Sequence, residues 1–136
     1  MNETNKQLNI SIELEKGAAA LRQARILFGS QEYDGSISRA YYAIFHYALA
    51  LLLTKGIEPR SHEGLTRFFN LHFIKNGILP KRYSTMLSHA QKAREDADYR
   101  PEIPFTEEDA VTRLQEAESF ITAIAALLRQ TGFQVL

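Results

Sequence analysis

Arg39 and His46 stand seven positions apart in Ser36-Ile37-Ser38-Arg39-Ala40-Tyr41-Tyr42-Ala43-Ile44-Phe45-His46-Tyr47-Ala48-Leu49-Ala50-Leu51-Leu52-Leu53, a stretch otherwise built mostly of apolar, aromatic and small residues. Seven residues are about two helical turns, so on a helix the two side chains share a face, roughly 10 Å apart along the axis. A guanidinium presents a planar fork to two phosphate oxygens, and an imidazole ionises near neutrality, which suits it to proton transfer. On a core-like helix both groups need partners, inside the domain or at a site. Two readings follow. Either Arg39 ion-pairs with Asp96 or Asp98 while His46 donates to a carbonyl or carboxylate, or the two form a functional pair.

The other polar candidates divide in the same way. Arg94 and Asp98 are four apart, the spacing of a helix-surface pair, although Arg94 can also share a cleft with Arg39. Tyr99 reads as a packing residue with a bonded hydroxyl. His62 follows Ser61 in the first turn of a helix, a place for an exposed or capping residue. His72 and His89 are isolated, and no two histidines show a spacing such as His-x3-His, so no metal and no cofactor are expected. Phe68, Phe69 and Phe73 are at core spacing. Arg60, Arg67, Lys75, Lys81 and Arg82 make either a mildly basic surface or ordinary solvated charges. No P-loop, Gly-rich phosphate cradle or Ser-His-Asp order is readable.

Helices must position these groups. Ile10, Leu14, Gly17, Leu21, Ala24 and Phe28 fall at alternating four- and three-residue steps, one face of a long amphipathic helix that Gly29-Ser30 stops. A short connection then favours an antiparallel second helix, from about Glu32 or Ser36 to Thr54. It is apolar around most of its circumference and should be central. Ser61 is a candidate N-cap for a third helix to about Lys75. A fourth follows Leu79-Pro80-Lys81-Arg82, with Tyr83, Leu87, Ala90 and Arg94 on one stripe. The two prolines of Tyr99-Arg100-Pro101-Glu102-Ile103-Pro104-Phe105 enforce an extended segment. Thr106-Glu107-Glu108-Asp109 then caps a last helix along Val111, Leu114, Ala117, Ile121, Ile124 and Leu128. Period-two alternation is nowhere sustained. The expected fold is all-α, an antiparallel bundle of about five helices in a single domain. Residues 1–7 are read as a polar N-terminal tail, 8–130 as the helical domain and 131–136 as a C-terminal tail.

Composition limits the functions. The 136 residues carry 16 Lys and Arg against 16 Asp and Glu, so no bulk charge drives the chain toward nucleic acid. The absence of cysteine excludes disulfides, thiolate metal sites and thiol catalysis. The polar N-terminus lacks a signal-peptide pattern, and no apolar run approaches the roughly 18 residues of a membrane span. A cytoplasmic location without membrane association is the expectation.

Ser38-Arg39-Ala40-Tyr41-Tyr42-Ala43-x-Phe45-His46 resembles the signature of small HEPN proteins, above all their stand-alone subgroup. The likeness continues through Gly56-Ile57-Glu58-Pro59, Ser61-His62-Glu63-Gly64, Gly77-Ile78-Leu79-Pro80, Arg94-Glu95-Asp96-Ala97-Asp98-Tyr99 and Thr106-Glu107-Glu108-Asp109-Ala110, over roughly residues 8–128. The resemblance implies a helical bundle that forms homodimers. Many such proteins are toxins paired with a minimal nucleotidyltransferase, and active members are metal-independent ribonucleases. Their motif is Arg, four to six residues, then His, with the two copies of a dimer meeting in one cleft.

Arg39 and His46 have Arg-x6-His spacing, but on the second helix, whereas the motif usually lies on a later one. There the chain reads Arg94-x4-Tyr99, with tyrosine where His is expected. By resemblance, Tyr99 is also a candidate acceptor of a nucleotidyl group. Two functions therefore stay open. One is a dimeric module that binds a nucleotidyltransferase partner, or a nucleotide or RNA, through a cleft of Arg39, Tyr42, His46, His62, Arg94, Asp98 and Tyr99. The other is a metal-independent endoribonuclease toxin with Arg39 and His46 as its catalytic pair.

Overall fold

The computed structural model describes residues 3–135, which form α1 (Glu3–Gly29), α2 (Tyr33–Leu53), α3 (His62–Phe69), α4 (Lys81–Tyr99) and α5 (Glu107–Gln130), with no strand among them. The helix ends follow local chemistry. Gln31 adopts φ +62° in the tight connection after α1. Ser61 Oγ accepts the Gly64 amide at 2.9 Å and starts α3. Thr106 and Asp109 form a reciprocal capping box at α5, each side chain accepting the other's backbone N–H.

The second helix is the centre. Twelve of its 21 residues are buried, and it packs on α1, α4 and α5, so its polar stripe of Ser38, Arg39, Tyr42 and His46 is half-buried. Gly17 permits the closest part of the α1–α2 contact: a Cβ there would sit 2.5 Å from the Tyr47 ring. Ser36, buried in the same contact, donates to the Ala24 carbonyl at 2.8 Å. Phe69 from α3, Tyr83 and Leu87 from α4, and Phe120 and Ile124 from α5 complete one core.

Three features depart from the sequence-based expectation. The helix after Ser61 does not continue as α-helix to Lys75; it changes to a π-turn over Asn70–Ile74, held by Lys75 N–H to Asn70 O at 2.8 Å. Ser84 of α4 donates to Asn70 Oδ1 at 2.6 Å and ties the fourth helix to this turn. Of residues 1–7, read as a polar tail, 1–2 lie outside the described residues and 3–7 begin α1, where Lys6 Nζ reaches Thr54 O at 3.3 Å. Of residues 131–136, also read as a tail, 136 lies outside the described residues and 131–135 return to the bundle. Phe133 and Val135 pack against the core, and the Gln134 amide donates to Gln7 Oε1 at 3.2 Å.

Candidate functional site

Tyr83, Leu87, Ala90 and Arg94 form the buried stripe of α4, so helical periodicity alone carries a guanidinium into the packing interface. Arg94 is 7% exposed. Aromatic faces surround its charge: Cζ lies 5.5 Å from the Tyr41 ring centre, 5.9 Å from Tyr42 and 5.8 Å from Tyr99. Such contacts are worth about 0.5–2 kcal/mol each. Its carboxylate partner, Asp98, stands at 3.7 Å, and Arg94 Nε is buried without a hydrogen bond.

Arg94 lies on the wall of an open groove of about 560 Å³ between α2, the start of α3 and the end of α4. Tyr42, His62, Lys92, Glu95, Asp96, Tyr99 and Arg100 complete the lining. Much of the charge is already engaged. Lys92 Nζ is 2.9 Å from Asp96 Oδ1, and Arg100 pairs with Glu102 just outside the groove. Arg94 is the groove cation held in place by burial, whereas Lys92 and Arg100 are exposed. Tyr99, 70% exposed, forms the lip.

His62 enters the groove as the first residue of α3. Its Nδ1 lies 2.6 Å from the Tyr41 hydroxyl, and its ring packs 5.0 Å from Phe45 and 5.6 Å from Tyr41. Burial, and then the Arg94 charge, lower its pKa below the usual histidine value and favour the neutral ring. Burial likewise drives the Tyr41 phenol far above its ordinary range, although Arg94 opposes this, so Tyr41 keeps its proton.

The candidate residues are therefore divided. Tyr42, His62, Arg94 and Tyr99 meet at the groove, whereas Arg39, His46 and Asp98 do not line it. Arg39 stands 5.1 Å over the Tyr42 ring with its Nε buried and without a hydrogen bond. The expected ion pair with Asp96 or Asp98 is not formed among the described residues. Asp96 is with Lys92, and Asp98 is with Arg94 and accepts from Ser38 Oγ at 3.4 Å. His46 turns to α1, where Nδ1 is 2.7 Å from Glu13 Oε2.

Burial alone would raise the Glu13 pKa. The hydrogen bond and charge of His46, with Lys16, outweigh it and hold the carboxyl below its usual value. His62, read either as an exposed or capping residue or as a member of the cleft, is half-buried and hydrogen-bonded to α2, because the Ser61 cap turns the start of α3 onto that helix.

Sequence reasoning passed over two partners. Tyr41 was legible only as one of a tyrosine pair, and Glu13 lies 33 positions before His46 with no local signal linking them. Among the described residues no group of three or more His, Asp or Glu side chains is placed to hold a metal, and no helix is long and apolar enough to cross a membrane.

Relatives extend over nearly the whole domain. A Methanocaldococcus jannaschii protein named "Putative toxin MJ0605" is 38% identical over 128 residues, covering 93% of this chain and 95% of the relative. A second from that organism, "Putative toxin MJ0142", is 34% identical over 108 residues, covering 79% and 74%. A Thermotoga maritima protein named as a UPF0332 protein is 30% identical over 128 residues, covering 94% and 96%. The profile of the HEPN domain matches residues 11–127, which takes in all three helices of the groove and the helices that support them. This chain belongs to the HEPN domain family.

Proposed function

We propose that this protein is the HEPN binding module of a toxin-like pair, holding RNA or a nucleotide in the groove between α2, α3 and α4. In this reading it works as a homodimer, and its protein partner is a minimal nucleotidyltransferase. The observation that carries the binding role is Arg94: a guanidinium held by burial on the wall of a tyrosine-lined groove, its carboxylate partner, Asp98, standing 3.7 Å away. Phosphate takes such a donor well, and tyrosine faces take bases by stacking at about 1–3 kcal/mol per base. Two relatives that carry the name "Putative toxin" support the setting.

Binding of a fluorescent single-stranded RNA, measured by anisotropy, tests the reading. Arg94→Ala should weaken it at least tenfold while the protein stays folded. Equal affinity in the folded variant would remove the groove from the proposal. Size-exclusion with light scattering, alone and with the nucleotidyltransferase, tests the assembly.

A second reading is the metal-independent endoribonuclease. It draws on the Glu13 carboxylate at His46 Nδ1, the arrangement that orients a catalytic imidazole. RNA cleavage in EDTA that yields 2′,3′-cyclic ends and disappears in folded Arg39→Ala and His46→Ala variants would establish it. No cleavage, with both variants merely less stable, would make the pair structural.

A further inference from the structure

Tyr41 is 0% exposed, and the hydrogen-bond partner of its hydroxyl among the described residues is His62 Nδ1 at 2.6 Å. A phenol at that distance either donates to the ring nitrogen or accepts from it. If it accepted, its own O–H proton would be left unpaired in the interior, which costs about 1–3 kcal/mol. The phenol therefore donates. Nδ1 is the acceptor, and the proton of the neutral ring resides on Nε2, on the far side of the imidazole from Tyr41.

His62 and Arg94 each pack against the rings of Tyr41 and Tyr42. The two side chains thus line the same groove beside the same two tyrosine rings. The remaining cations of the groove, Lys92 and Arg100, are engaged by Asp96 and Glu102. A long polyanion gains less from cations whose charge is already shared; a single phosphate group held by Arg94 and His62 does not depend on them.

We propose that Tyr41 locks His62 as its Nε2–H tautomer, and that this N–H and the Arg94 guanidinium together hold one phosphate group of a nucleotide. The inference rests on the nucleotide-binding reading of the groove and specifies its ligand as a monophosphate end. It also gives His62 a binding role: an Nε2 that carries the proton donates a hydrogen bond and does not act as a base. Tyr41 is a positioning residue, acting through the imidazole. Burial and the Arg94 charge favour the same neutral ring.

The test uses the full chain with adenosine 5′-monophosphate and adenosine as probes, calorimetry for affinity and nitrogen-15 NMR for the histidine tautomer. The monophosphate should bind at least tenfold tighter than adenosine. His62→Met and Tyr41→Phe should each weaken it about 10- to 100-fold. His62→Gln, whose amide places an N–H near the Nε2 position, should recover most of the affinity. The His62 spectrum should show a bare Nδ1 and a protonated Nε2, and Tyr41→Phe should mix the tautomers without unfolding the chain.

A protonated Nδ1 in the native neutral ring would overturn the lock. Monophosphate binding unchanged by His62→Met would overturn the phosphate grip while leaving the groove reading intact. Arg94-dependent binding of RNA with none of the monophosphate would also overturn the grip alone. Binding of neither RNA nor the monophosphate would overturn the groove reading and the grip together.

Discussion

His46 Nδ1 lies 2.7 Å from Glu13 Oε2, joining the middle of α2 to α1 through two side chains that are 18% and 15% exposed. A pair so shielded from water is more strongly coupled than a surface ion pair, and losing one member strands the other. His46→Ala or Glu13→Ala should each cost about 1–3 kcal/mol in urea unfolding, with the double variant costing clearly less than their sum. Strict additivity would show that the contact contributes nothing to the α1–α2 interface.

Gly17 tests the same interface without charge. A methyl group there meets the Tyr47 ring 2.5 Å away, so Gly17→Ala should destabilise by about 1–3 kcal/mol despite alanine's better helix propensity. Gly29, with nothing within 4 Å of an added Cβ, should accept alanine with no loss and a gain of up to about 0.5 kcal/mol. Thermal unfolding of the two variants side by side is sufficient.

The caps have separable consequences. Thr106→Ala removes one half of the α5 capping box and should cost about 1 kcal/mol with no effect at the groove. Ser61→Ala removes the bond to Gly64 and should cost a similar amount. It should also loosen the turn that presents His62 and so weaken monophosphate binding. An unchanged affinity would mean that α3 begins in the same place without its cap.

Acid should act through His62 before it acts through Glu13. The His62 pKa is lower in the folded state, so the unfolded chain binds the proton more readily. Its contribution is whole above the unfolded value of about 6.5 and is lost as pH falls through the folded one. Glu13 is also depressed on folding, so its contribution is present above its ordinary carboxylate range and fades only as pH drops below it. Urea midpoints between pH 7.5 and 5.5 should fall in the native protein and fall less in His62→Gln. Identical slopes would mean that the proton meets no penalty at this ring.

Arg39→Lys and Arg94→Lys should differ. Arg94 uses the width of its guanidinium against three tyrosine rings, and lysine offers a narrow, strongly hydrated charge in its place. Lysine at 94 should cost about 2 kcal/mol or more of stability and weaken ligand binding, because a compact ammonium cannot span the three rings and Asp98 together and stays strongly hydrated. At 39 the loss should be smaller, since that side chain is placed over the single ring of Tyr42. Equal losses would show that the ring contacts around Arg94 are not what holds it.

The helices and their caps were legible in the sequence because they are local facts. The three- and four-residue steps from Ile10 to Phe28 mark a helix face wherever they occur, and Ser61 and Thr106 satisfy amides only three residues away. The stripe Tyr83, Leu87, Ala90, Arg94 was legible for the same reason, including the position of its arginine. The π-turn left no such trace, because Asn70–Ile74 is made of residues an α-helix also accepts; its tie to Ser84 comes from another helix.

The choice of partners was decided by tertiary packing. Spacing placed Arg39 and His46 on one face of α2, but it could not say which neighbours cover that face. The arginine lies over Tyr42, three residues on in its own helix, but the histidine is taken by Glu13, 33 residues earlier, on α1. The imidazole that reaches the groove is instead His62, brought there because the Ser61 cap starts α3 against Tyr41 and Phe45. A helix repeats its own geometry every turn, so its faces can be read from its residues. The contact between two helices depends on their relative rotation and separation, which the whole core sets at once.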